Sequence, residues 1–168
     1  MTLSHEAAPR LPRGFQSTSA IQEPDRLVLV PEVLIMSKQL ETARQLYADF
    51  GRGNIPGILA MLADDVVWEE GATDYGIPWL RPGRGKGHVG EFFTVVGHEF
   101  DISSFEAKQF FEAGTTVIVQ CHMRATIRST GKRLEDAFEL HLWRFGSDGK
   151  VVGFRHVVDT HQQWLVSR

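Results

Sequence analysis

The chain has one cysteine in 168 residues, Cys121. A single cysteine closes no intramolecular disulfide and builds no cysteine-based metal cluster. Set inside a β-rich run, it reads as a small buried apolar side chain rather than a nucleophile. A reducing, cytoplasmic setting fits. An excess of basic charge is also missing: 18 Lys and Arg face 21 Asp and Glu, for a net charge of −3. That balance excludes the dominant basic patch of a nucleic-acid binder. No apolar run approaches the roughly 20 residues that span a bilayer, so no membrane partner is expected. The run Arg26–Val30 is too short and wrongly flanked for a secretory signal. There is no internal repeat. His-x-His and His-Glu-x-x-His spacings are absent, so neither a metal nor another cofactor is expected.

What is present is a globular composition, 42% hydrophobic and 23% charged, in a length that makes one domain with at most a tail. Residues 1–36 contain Pro9, Pro12, Pro24 and Pro31 and no sustained apolar period. They read as a poorly ordered extension, with Met36 just before the first helical pattern. The alternative is an added strand from Leu27 to Val30. Residues 37–168 form the domain.

Leu40, Ala43, Leu46, Tyr47 and Phe50 have amphipathic helical spacing over Lys38 to Gly51. Asn54 is a natural N-cap for a second short helix, with Pro56 in its first turn. Val66 to Glu70 reads as a strand. A Gly- and Pro-rich loop carrying Trp79 follows, then a third helix over Gly87 to His98. From Phe100 the pattern becomes β. Strands are predicted over Phe105–Glu112, Thr116–Arg128, Arg133–Phe145 and Val151–Asp159, and a short helix over Thr160–Val166. Helices first and antiparallel strands afterwards make an α+β protein.

The last two strands carry the functional signal. Side chains alternate along a strand, so Glu139, His141 and Trp143 share one face and Phe138, Leu140 and Leu142 the other. A carboxylate, an imidazole and an indole on one face suit a pocket with polar tips. Opposite apolar residues suit packing, and a homodimer is expected through that face, with Val117, Val119 and Met123 joining it. His156 lies on the adjacent strand, and if it faces the same side as His141 the two form either a proton-transfer pair or one donor and one base. Trp68 and Glu70, two residues apart, both face the pocket if either does. A carboxylate against an indole would have a raised pKa and serve as a base. The bland alternatives are a solvated strand-end Glu70, with Glu69 as surface charge, and a satisfied core His156. His122 shares a face with Gln120 and Arg124 and either completes the site or sits on the exposed face. Trp79 is a lid or an interface anchor. Phe92 and Tyr47 are core residues, with the Tyr47 hydroxyl available to the cavity.

The order helix, helix, Asp64-Asp65 with Trp68-Glu69-Glu70, loop, Gly85-Lys86-Gly87 helix and four strands resembles the nuclear transport factor 2-like superfamily. Gly53-Asn54-Ile55, Trp143-Arg144-Phe145 and Asp148-Gly149-Lys150 carry the same likeness. Within it the chain is most similar to the SnoaL-like and ketosteroid-isomerase-like branch, over residues 38–160. The resemblance implies a cone-shaped α+β barrel, with three N-terminal helices on a curved antiparallel sheet and a cavity for a small, mostly apolar organic molecule. It implies cofactor-free proton transfer next to a carbonyl, of isomerase, cyclase or lyase type. Glu70 falls at the isomerase base, and His141 at the penultimate-strand acid or histidine. His156 falls at the aspartate of cyclases and of epoxide-hydrolase-like members. Tyr47 lies one residue from the oxyanion tyrosine. Tyr47, Trp68, Trp79, Phe92, His122 and Trp143 are the implied ligand contacts. The alternatives are a non-catalytic ligand-binding or dimerisation module, or an epoxide-hydrolase-like enzyme with an altered site.

Overall fold

The structure is a computed structural model and describes residues 37–168. The expected extension over 1–36, and the alternative strand at Leu27–Val30, lie outside the described residues.

Helix α1 (Lys38–Gly51) starts where the Ser37 hydroxyl accepts the Leu40 N–H at 3.1 Å. It buries Ala43 and Leu46 and stops at Gly53, whose φ of 67° lies in the left-handed region glycine tolerates. Asn54 caps α2 (Ile55–Met61) by accepting the Gly57 N–H, with Pro56 in the first turn. Strand β1 (Leu62–Trp68) begins four residues before the predicted Val66. A two-residue strand β2 (Gly83–Arg84) precedes α3 (Gly85–Glu99). Then come β3 (Phe100–Ala113), β4 (Thr116–Ile127), β5 (Arg133–Phe145), β6 (Val151–Val157) and α4 (Thr160–Val166).

The six strands form one sheet in the order β2-β1-β6-β5-β4-β3. The three antiparallel pairings among β3 to β6 were legible as a meander. The exception is β1, which runs parallel to β6, with Trp68 beside Phe154. The expected all-antiparallel sheet is therefore mostly antiparallel.

Alternation decides what the helices cover. Val117 lies opposite Trp143, and Val119 opposite His141, so all four share the inner face. Val117 and Val119 are fully buried there among Ala43, Leu46, Val66 and Trp68. The expectation that Val117, Val119 and Met123 extend an outer apolar face is corrected by this register. On the outer side Phe138 is 68% and Phe111 50% exposed. A register shift opposite Cys121–Met123 inserts an extra residue in β5. Odd-numbered Glu139, His141 and Trp143 point inward on one side of it, and even-numbered Leu134 on the other. A second apolar cluster, with Ile77, Trp79, Phe100, Ile127 and Val166, ties the long loop and α4 to the far end of β4 and β5.

Candidate functional site

The inner face of the sheet and helices α1 to α3 enclose a cavity of about 740 Å³, its open mouth included. Its wall is mainly aromatic and aliphatic. Tyr47, Trp68, Trp79, Phe92 and Trp143 line it, together with Phe50, Phe93, Phe105 and Phe154. Trp68 stacks on Phe154 with centroids 4.2 Å apart, which sets the position of its indole. The Trp68 Nε1–H is buried and has no partner.

The titratable groups of this wall, among the described residues, gather at one place. His141 and His156 are directly opposed on β5 and β6, so both imidazoles face inward, with ring centroids 4.7 Å apart. Glu139, two residues before His141, joins them. Trp143 donates its Nε1–H to the Tyr47 oxygen at 2.9 Å, and the Tyr47 oxygen lies 2.9 Å from His141 Nδ1. His141 Nε2–H donates to Glu139 Oε1 at 2.9 Å. Glu139 Oε2 is buried and has no partner. His156 Nε2 lies 3.9 Å from Glu139 Oε1, beyond a hydrogen bond, and remains available to a ligand.

The other nitrogen of His156 is held by a residue that sequence reasoning placed on the surface. His156 Nδ1 is hydrogen-bonded to Glu69 Oε1, and the His156 backbone N–H donates to Glu69 Oε2 at 3.3 Å. Glu69 is only 2% exposed. Its φ of 53° is the one positive value among the described non-glycine residues. A left-handed residue at the strand end breaks the alternation. Trp68 and Glu69 therefore both turn inward, and Glu70 turns out. Glu70 does not line the cavity. Its carboxylate makes a two-bond pair with Arg144, at 2.6 and 3.0 Å, and is 42% exposed. The pair lies over Gly153, in space that any Cβ there would occupy. Hydrogen bonds from Arg144 hold the Glu70 carboxyl below the usual range, opposite to the raised value expected of a base. Glu70, expected in the cavity, thus stands apart from it, and Glu69 is the carboxylate that holds His156. The one available signal was the Trp-Glu-Glu-Gly run, because the glycine turn at Gly71 allows such a twist.

His122 is also displaced from its expected role. It shares the outer face with Gln120 and Arg124, and its Nε2 lies 3.4 Å from Glu135 Oε1. Tyr47, by contrast, reaches the cavity although it is one position from the family tyrosine, and binds His141 directly. Gln163 was not foreseen. It lies on α4, is 2% exposed and accepts the Trp79 Nε1–H at 2.7 Å.

Burial and charge compete in the polar wall. Burial disfavours the imidazolium of His141, but the Glu139 charge, with hydrogen bonds to Cys121 and Glu139, outweighs it and raises the pKa. For His156 burial is again opposed, by the charge and hydrogen bond of Glu69 and by Glu139, and its pKa is also raised. Burial works to raise the pKa of Glu139, but the two imidazoles more than offset it and lower the value. Burial pushes the Tyr47 phenol well above its usual value, so it stays a neutral hydrogen-bonding group. The wall can thus exchange protons between imidazole and carboxylate in a setting poor in water. Glu139, His141 and His156 also bring one ligand atom each within 4.8 Å of one another, a donor set of two imidazoles and a carboxylate. No helix among the described residues is long and apolar enough to cross a membrane.

Solved structures of similar fold bear on this cavity. A nuclear transport factor 2-like protein of unknown function from Burkholderia pseudomallei K96243 is 30% identical. The match covers 78% of this chain and 98% of that one, with a TM-score of 0.64. Rv0760c from Mycobacterium tuberculosis, solved in complex with estradiol-17beta-hemisuccinate, is 19% identical over 75% of this chain and 97% of that one, with a TM-score of 0.62. TerC, co-crystallised with polyporic acid, is 24% identical over 78% and 98%, also at 0.62. These likenesses carry the cone-shaped α+β fold. No curated protein matches the sequence. The family model of the SnoaL-like domain matches residues 43–154, from within α1 to within β6, and the chain belongs to that family within the nuclear transport factor 2-like superfamily.

Proposed function

We propose that this protein binds a small, mostly apolar ketone in the cone and moves a proton next to its carbonyl. The observation that carries the reading is His156, which lines a largely aromatic cavity and is held through Nδ1 by the buried Glu69. Glu69 takes the Nδ1–H of His156, which leaves Nε2 as a base in the neutral ring. Nε2 removes a proton from the carbon beside the ligand carbonyl. The C–H electron pair becomes the new C=C bond, and the carbonyl oxygen takes up the negative charge. The free Trp68 N–H supplies a donor for that oxygen, with the His141 ring beside it. In a β,γ-unsaturated ketone the proton on His156 then returns to the γ-carbon of the dienolate, which gives net isomerisation. The ligands held by Rv0760c and TerC support an organic occupant of this kind of cone.

The test is deuterium exchange at the acidic carbon of 2-tetralone in D₂O, followed by NMR with a chelator present. Glu69→Gln and His156→Ala should each slow exchange by about 10²–10⁴-fold, the range of general-base catalysis. Glu70→Gln should leave it unchanged. If all three variants exchange like the wild type, His156 is not the base. The rival reading, a non-catalytic binding module, gains if the ketone binds and no variant or wild type exchanges it. We also infer a homodimer through the outer sheet face, where Phe111, Phe138 and Val157 stand exposed.

A further inference from the structure

The cavity has a second polar point, away from the histidines, on the α4 side. Gln163 lines the cavity and is 2% exposed. The orientation of its amide is set by its partner. An indole N–H can only donate, so the atom 2.7 Å from Trp79 Nε1 is Oε1. Nε2, with two N–H donors, is thereby turned away from Trp79. Among the described residues no acceptor takes a hydrogen bond from it. Trp79 itself sits in an apolar cluster with Leu80, Val96 and Phe100, which offers no side-chain acceptor. Gln163 lines the cavity and its Nε2 is not sealed off from it, so a ligand oxygen can meet its donors there.

We propose that Gln163 is a specificity residue whose amide N–H donates to a second oxygen of the ligand, a carbonyl or ether on the α4 side. The inference rests on the reading that the cone holds an apolar ketone, and it narrows the ligand class. The occupant has one carbonyl at Trp68 and His156 and a second oxygen acceptor further along an apolar body. Trp79 acts as a positioning residue, since its N–H holds the amide with the donors facing the ligand. The long loop and α4, joined by this bond, then read the part of the ligand remote from the chemistry.

The experiment compares two probes of matched size by calorimetry on the full chain. One is 6-acetyl-2-tetralone and the other 6-ethyl-2-tetralone, which lacks the second oxygen. The wild type should bind the acetyl compound about tenfold more tightly, the scale of one buried hydrogen bond. Gln163→Leu should erase that preference and leave the ethyl compound bound as before. Gln163→Glu keeps an acceptor for Trp79 and should also lose the preference once its carboxyl is ionised. It serves if the leucine variant fails to fold. Equal binding of both probes by the wild type, with exchange of either intact, overturns the role of Gln163 alone. A preference that survives in both variants overturns it too. Binding of neither probe overturns the ketone reading and this inference together.

Discussion

Glu69 shows how one backbone angle relocates a carboxylate. Strand alternation carries Trp68 and Glu70 to the same side only while φ stays negative. At Glu69 it does not, and the buried acid is the neighbour of the expected one. Side-chain types were readable from sequence at this site, but a left-handed residue other than glycine was not, because few sequences demand one. The electrostatics of the wall lead to a pH prediction. His141 faces Glu139 on its own strand, Tyr47 from α1, Cys121 from β4 and His156 from β6, with Glu69 behind. Its pKa is raised on folding, so its contribution to stability is full below about pH 6.5, the unfolded value, and is lost as pH rises through the folded value. His156 follows the same sign. Glu139, lowered, contributes above about pH 4.3 and loses that contribution as pH falls through its folded value. The melting temperature should therefore peak between the carboxylate and imidazole ranges, near pH 5–6, and decline toward pH 8. Thermal melts of Glu139→Gln should show a flatter alkaline limb. An equally steep one would mean that Glu139 does not set the charge of His141. Tyr47→Phe tests the other side of the ring. It leaves the Trp143 N–H without its acceptor and should cost about 1–3 kcal/mol in denaturant titration.

At the scale of elements, the helices and the β5–β6 hairpin were legible because their signals are local. Ser37 and Asn54 cap where capping residues belong, and Asp159 caps α4 by accepting the Gln162 N–H at 3.0 Å. Pairings that depend on distant chain were not legible. The two-residue β2, the parallel β1–β6 contact and the extra residue in β5 leave no periodic trace in their own windows. His122 illustrates the middle case. Its face was correctly grouped with Gln120 and Arg124, but a face grouping does not say which side the helices cover. Helix α4 gives a prediction of its own. It is seven residues long and has little helical stability apart from its cap and its packing through Gln163 and Val166. Asp159→Ala should cost about 1 kcal/mol in global stability. If α4 forms the ligand-reading wall, the same change should also weaken 6-acetyl-2-tetralone more than its ethyl analogue. Equal weakening would detach α4 from recognition.

The molecule as a whole divides its work between two faces of one sheet. The inner face carries both the core and the cavity, so the aromatic residues around the cavity are also those that hold α1 and α3 in place. The outer face keeps Phe111, Phe138 and Val157 exposed. Phe138→Glu should leave the melting profile of the isolated subunit nearly unchanged and convert a dimer to a monomer in light scattering. A wild-type monomer at high micromolar concentration would remove the basis for an interface there. The parallel pairing of β1 with β6 has a consequence for how the chain is made. Trp68 meets Phe154 only after the intervening 69–153 have been synthesised. A chain emerging from the ribosome thus presents the β6-facing edge of β1 unpaired until β6 appears. Loop closure across that span is slow compared with the local hairpins of β3 to β6. The nascent protein should depend on holdase chaperones more than its small size suggests, and a translational stall before Val151 should leave an aggregation-prone half-barrel.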